Sequence, residues 1–142
     1  MLQNIRKSRG GFTLVEIMIV VAIIALLAAI AVPGFLRARK RSQATSILND
    51  ARVIDGALDQ YAIENNKKGS DNVTAQNIKA FFKPGSRLYN QAAGTTDALS
   101  DILGNNYSYK TFDMGVHVNT STTANFTDVI DTAGSFWGAY FQ

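Results

Sequence analysis

Residues 12–32 read FTLVEIMIVVAIIALLAAIAV, and in those 21 positions only Thr13 and Glu16 are polar. At about 1.5 Å per residue, a helix of this length spans roughly 30 Å, the thickness of a bilayer's hydrocarbon core. The stretch is apolar on every side. A helix built from it has no face for water and must be surrounded by lipid or by other helices. Pro33 and Gly34 follow it. A proline removes a backbone donor and crowds the preceding turn, which predicts a kink or a break at Pro33 and Gly34. Glu16 is the anomaly, because a carboxylate in apolar surroundings is costly unless a partner is supplied.

Working outward, the run is flanked by cations. Arg6, Lys7 and Arg9 precede it, and Arg37, Arg39, Lys40 and Arg41 follow it. From Ser42 to Gln142 there are seven Lys/Arg against ten Asp/Glu, a net of −3. The overall charge of +3 therefore belongs to the edges of the apolar segment, where cations meet anionic headgroups. A nucleic-acid-binding protein spreads its basic residues over the folded part, and this chain does not. There is no cysteine, so disulfides and thiolate-bound metals are excluded and the folded part is held by packing alone.

A secretory signal peptide offers the plainest account of such an N-terminus, with Ala29-Ile30-Ala31 as its cleavage site and a secreted or singly anchored binding domain starting at Val32. The unbroken run from Ile17 to Val32 is long for a signal's apolar region, and a segment destined for destruction has no use for Glu16.

The residues Gly10-Gly11-Phe12-Thr13-Leu14-Val15-Glu16, preceded by a short basic leader and followed by the apolar helix, resemble the processing motif of type IV prepilins and type II secretion pseudopilins. That family's pattern is a leader ending in Gly, then Phe or Met, then an apolar helix with Glu at its fifth residue. The similarity extends through Pro33 and covers the first third of the chain.

The resemblance implies a leader of residues 1–11, with cleavage after Gly11 by a membrane aspartyl prepilin peptidase. The same enzyme would methylate the new N-terminus at Phe12. It implies a homo-oligomeric helical filament and an inner-membrane assembly platform as partners. It further implies a single-pass inner-membrane precursor with its C-terminal part outside the cytoplasm, assembled afterwards into a periplasmic pseudopilus or a cell-surface pilus. Charge does not decide that orientation, since three cations flank one side and four the other. Cleavage would also give Glu16 its partner. The α-ammonium freed at Phe12 is itself expensive in an apolar setting, and pairing it with a neighbour's Glu16 would offset the cost and fix the register between subunits.

Beyond residues 12–36 lies a head of residues 37–142. Ala44, Ile47, Leu48, Ala51, Ile54, Leu58, Tyr61 and Ala62 recur in steps of three and four, which predicts an amphipathic helix over about 42–65. A short helix is expected over about 74–82 with Thr74 as its N-cap, ended by Pro84-Gly85. Asp101-Ile102-Leu103-Gly104-Asn105-Asn106-Tyr107 is similar to an Asp-x-x-Gly-Asn-x-Tyr turn of major pseudopilins. Tyr107, Tyr109, Phe112, Met114, Val116 and Val118 then alternate, and an aromatic stretch spans Gly134 to Phe141. These predict a small antiparallel β-sheet over about 107–141, packed on the long helix. The expected class is α+β.

The head offers little chemistry. His117 is the only histidine and has no companion ligand in sequence. Asp128 and Asp131 are the candidate calcium carboxylates, but EF-hand spacing is absent and solvated loop carboxylates account for them. Phe136, Trp137, Tyr140 and Phe141 read as packing aromatics. Asn-x-Ser/Thr sequences begin at Asn72, Asn106, Asn119 and Asn125, as a polar Asn-rich chain readily produces. No nucleophile–base pair or phosphate loop is present in the sequence, so no catalytic residue and no cofactor is assigned. A filament subunit of the pseudopilin kind is expected, with a type IV pilus major pilin as the alternative.

Overall fold

The computed structural model describes residues 11–95, 97–130 and 135–141. The element order is α1 (Leu14–Glu64), α2 (Ala75–Ile78), a 3-10 turn at Lys79–Phe81, α3 (Arg87–Ala92), α4 (Thr120–Ala124) and a second 3-10 turn at Gly138–Tyr140. The chain divides into two compact units, residues 1–37 and residues 38–142.

In the first unit α1 is unbroken by Pro33, which lies inside it. The expected break is absent. Every residue from Gly11 to Arg39 is exposed.

In the second unit α1 buries one stripe: Ala44, Ile47, Leu48, Ala51, Ile54, Ala57 and Leu58. The spacing of three and four residues keeps them on one face, and the three alanines let other segments approach the helix backbone closely. Against this stripe lie Ile78, Phe82, Leu88, Leu99, Tyr107, Val116, Val118, Phe126 and Trp137. Phe126 and Trp137 meet with ring centroids 6.1 Å apart, and Phe136 stands edge-on to Trp137 at 5.0 Å. Past the last helical residue, Glu64, Asn66 turns the chain at φ 50°, the left-handed conformation that Asn tolerates.

Short capped helices line the rest of the core. Thr74 caps α2 reciprocally, its hydroxyl accepting from the Asn77 N–H while Asn77 Oδ1 accepts from the Thr74 N–H at 3.0 Å. Ser86 caps α3 and Asn119 caps α4 in the same one-sided way, each accepting from the first turn.

The antiparallel sheet expected over 107–141 does not form: no β-strand occurs among the described residues. Three isolated antiparallel bridges take its place, Asn72 with Thr111, Ser100 with Asn106, and Ser108 with His117. The reason is local. Ser108 and His117 exchange two backbone hydrogen bonds of 2.9 Å, as neighbouring strands would. The ladder cannot grow on one side, because residues 111–114 turn and Gly115 sits at φ 67°. On the other side Asn106 is already paired with Ser100, and Asn119 caps α4. Residues 120–124, inside the span expected to form the sheet, are helical. Of the last expected strand, Gly134 lies outside the described residues, and 135–140 are turn and 3-10 helix. Alternation of burial survives at Tyr107, Tyr109, Val116 and Val118 without a sheet to carry it.

Candidate functional site

The first unit's surface is the most consequential feature. Sixteen large apolar side chains between Phe12 and Leu36 are 49% to 80% exposed. An 18-residue window within α1 has mean hydropathy 3.0, with none of it buried among the described residues. Covering a side chain of this kind is worth about 2 kcal/mol, so leaving the set in water costs on the order of 30 kcal/mol. Lipid, or helices like itself, must supply the missing environment.

At its start, Gly11, Phe12 and Thr13 precede α1, whose first residue is Leu14. The Gly11–Phe12 bond is thus outside the helix. A methyl group built on Gly11 would meet no atom within 4 Å, and the same is true at Gly34. Among the described residues no packing demands a glycine at position 11.

Glu16 lies in the first turn and is held by Thr13. The Thr13 N–H and the Thr13 hydroxyl each donate to Glu16 Oε2 at 3.3 Å, and the Glu16 N–H donates to Thr13 Oγ1 at 3.2 Å. The Ile17 N–H closes the first helical bond onto the Thr13 carbonyl at 3.3 Å. This is the reciprocal capping box, which satisfies donors that a helix N-terminus otherwise leaves unpaired. The carboxylate also faces the positive end of the helix dipole. The sequence signal for Thr13 is Thr-x-x-Glu immediately before an apolar run. Glu16 is singled out by its charge, and Thr13 by that spacing alone.

The second unit shows how the head is locked. Asp101 is buried, and its carboxylate accepts from the Leu103 N–H at 2.8 Å, the Asn105 N–H at 3.0 Å and the Thr122 hydroxyl. Asn105 Nδ2 donates to Thr122 Oγ1 at 2.9 Å. Gly104 completes the turn at φ 87°, a conformation open to glycine and strained for most other residues. Three residues on, the Tyr107 hydroxyl donates to the Ile47 carbonyl of α1 at 3.2 Å. The Asp-x-x-Gly-Asn-x-Tyr segment is therefore a knot joining α4, its own turn and the long helix. A second tie, Asp50 with Arg87, has no sequence signal at all, since 37 residues separate the partners. Arg87 also donates to the Ser100 carbonyl.

Burial pushes the Tyr109 phenol up to about 12, with Asp97 adding to the effect. Burial, then the charge of Asp50, raises Tyr107 as well. Of the two candidate calcium carboxylates, Asp128 pairs with Lys40 at 2.7 Å, and Asp131 lies outside the described residues. Among the described residues no three His, Asp or Glu side chains cluster in a way that could hold a metal. A cleft of about 360 Å³ runs past Asn72, Thr74, Asp97, Tyr109 and Lys110, without a nucleophile and base brought together. His117 takes part in the single bridge to Ser108 through its backbone.

Residues 6–32 match the family described as Prokaryotic N-terminal methylation motif. The chain is 32% identical to the Type IV wide pilus major component PilA4 of Thermus thermophilus, over 84% of this chain and 95% of that protein. It is 33% identical to the Type II secretion system core protein G of Pseudomonas aeruginosa, over 73% of this chain and 75% of the relative. The core protein G of Vibrio cholerae is 30% identical over 72% and 71%. No solved structure matches the chain significantly.

Proposed function

Because this chain belongs to the family of type IV pilins and type II secretion pseudopilins, we propose that it is a structural filament subunit of the pseudopilin kind. Its leader is removed after Gly11 by a prepilin peptidase, Phe12 becomes the methylated N-terminus, and the subunit polymerises through α1. The precursor is anchored in the inner membrane by its single apolar segment, with the head outside the cytoplasm.

The observation that carries this reading is the uncovered apolar surface from Phe12 to Leu36, interrupted only by Thr13 and Glu16 among its first 21 residues. That surface fits two environments in turn, lipid before assembly and a bundle of identical helices after it. The alanines at 22, 25, 28, 29 and 31 allow those helices to approach one another closely. Gly11, which no described residue packs against, suits a scissile bond that must enter a peptidase in extended form. Glu16 would meet the Phe12 ammonium of a neighbouring subunit. A buried pair of that kind fixes register more than it adds stability.

Mass analysis of the N-terminus in the membrane fraction tests this directly. A methylated Phe12 start is expected. A start at Val32 would mean the apolar segment is an ordinary signal peptide, and the filament reading would fall.

One observation favours a second reading, a type IV pilus major subunit: the match to the wide-pilus component extends over 95% of that relative, against 75% for core protein G of Pseudomonas aeruginosa. Deleting the gene separates the two. Loss of exported proteins from the medium supports the pseudopilus, and loss of surface filaments with secretion intact supports the pilus.

A further inference from the structure

Both hydrogen bonds that reach the Glu16 carboxylate end on one oxygen. The Thr13 N–H and hydroxyl converge on Oε2, while Oε1 receives no donor from the described residues. A carboxylate has room for about four hydrogen bonds shared over its two oxygens. The capped carboxylate can therefore accept a further donor without giving up its cap.

We infer that Thr13 is a positioning residue for assembly: its hydroxyl fixes one Glu16 oxygen in the helix cap and leaves the other presented to the α-ammonium of a neighbouring subunit. The inference rests on the filament-subunit reading of Glu16. Its physical basis is the poverty of donors in lipid. Before a neighbour arrives, an unpaired carboxylate in the membrane is expensive, and the two Thr13 donors lower that cost. They also hold the side chain in one rotamer, so less entropy is lost when the ammonium docks. The Thr13 hydroxyl is needed twice, its O–H donating to Glu16 Oε2 and its oxygen accepting from the Glu16 N–H. A side chain of the same shape without a hydroxyl forfeits both.

Valine has that shape, and serine keeps the hydroxyl. The experiment co-expresses Thr13→Val, Thr13→Ser, Glu16→Gln and the double variant Thr13→Val/Glu16→Gln, each alongside wild-type subunits and the assembly machinery. Mass spectrometry then counts each variant's share of sheared filaments and reads its N-terminus. Thr13→Val and Thr13→Ser should both begin at Phe12. The share of Thr13→Val should fall by about tenfold, the effect of one lost charge-assisted hydrogen bond. Thr13→Ser should stay within about twofold of wild type, and Thr13→Val should add nothing in the Glu16→Gln background. A purely structural loss at the helix end would add to Glu16→Gln, which would overturn the inference.

Three other results also overturn it: full incorporation of Thr13→Val, a serine variant as poor as the valine, or a valine variant left uncleaved. A wild-type chain that does not begin at Phe12 would instead remove the filament-subunit reading itself.

Discussion

The two stretches of α1 on either side of Arg37 share one secondary structure and have opposite surroundings. Before it, large apolar side chains are all exposed; after it, seven residues from Ala44 to Leu58 are buried. The later stretch carries charged residues at Asp50, Arg52, Asp55 and Asp59 beside its buried stripe, so the chain covers one face and water the other. The earlier stretch has no polar face to give to water. Helix geometry is the same in both, and only the distribution of polarity around the axis assigns each its partner. The first stretch asks for something outside the chain, and the second is satisfied within it.

The largest expected effect tests that division. Glu16→Ala removes a carboxylate that belongs to the first unit. Membrane levels and the thermal melting of the head should match wild type. On the pairing proposed above, filament yield should fall by at least about tenfold, because a neighbour's ammonium would be left buried without a partner, at a cost of roughly 3 kcal/mol or more. Normal filaments from this variant would place the register of assembly elsewhere on the helix.

Asp101→Ala is the converse, a change confined to the head. It leaves the Leu103 and Asn105 N–H groups and the Thr122 hydroxyl without their acceptor. Stability should drop by on the order of 3 kcal/mol, lowering the melting temperature by roughly 10–20 °C, with membrane insertion and N-terminal cleavage unchanged. A variant that melts like wild type would show that water replaces the carboxylate and that the turn is not a lock.

How much of this was legible in the sequence differs between the two stretches and the loops beyond them. Ala44, Ile47, Leu48, Ala51, Ile54 and Leu58 announce their burial because a helix repeats every 3.6 residues, a property of the chain alone. Thr74 is legible for the same reason, since a cap involves only its next three residues. The sheet was not. Alternation at Tyr107, Tyr109, Val116 and Val118 reports extended backbone with one side inward, and that pattern is real. A ladder also needs a free partner edge. Whether Asn106 and Asn119 are available depends on Ser100 and on α4, which no short window contains. The Asp50–Arg87 tie is invisible for the same reason. At the start of α1 Glu16 stands out as a charge in grease, whereas the sign of Thr13's role is the fainter Thr-x-x-Glu spacing.

The head's buried phenols give a smaller and pH-dependent effect. Tyr109 and Tyr107 ionise less readily in the folded head than in the unfolded chain, whose tyrosines titrate near the ordinary value of about 10. Their folded values are raised, so their contribution is fully present below about pH 10 and is lost as the pH climbs through about 12. The head should therefore melt at constant temperature from neutral pH to about 10 and at falling temperature above it. Tyr109→Phe, which cannot ionise, should blunt that fall. A head that loses stability well below pH 10 would show that these two groups do not govern its alkaline limit.

The smallest effect concerns the basic residues at the junction between the two stretches. Lys40 reaches Asp128 at 2.7 Å, but both side chains are about half exposed, at 43% and 54%. Exposed pairs of this kind recover little of the entropy spent in holding them, and salt screens them further. Lys40→Ala should therefore change the melting of the head by no more than about 0.5 kcal/mol. Its cost should appear in the membrane instead: on the anchored reading, Arg37, Arg39, Lys40 and Arg41 would meet anionic headgroups, where each cation is worth about 1 kcal/mol. Binding of the purified subunit to vesicles rich in anionic lipid should weaken by up to about fivefold, and the loss should vanish in neutral vesicles. If the variant instead melted several degrees lower and bound both vesicles equally, the cation would belong to the packing of the head. The boundary between membrane-facing and self-satisfied helix would then lie on the N-terminal side of Lys40.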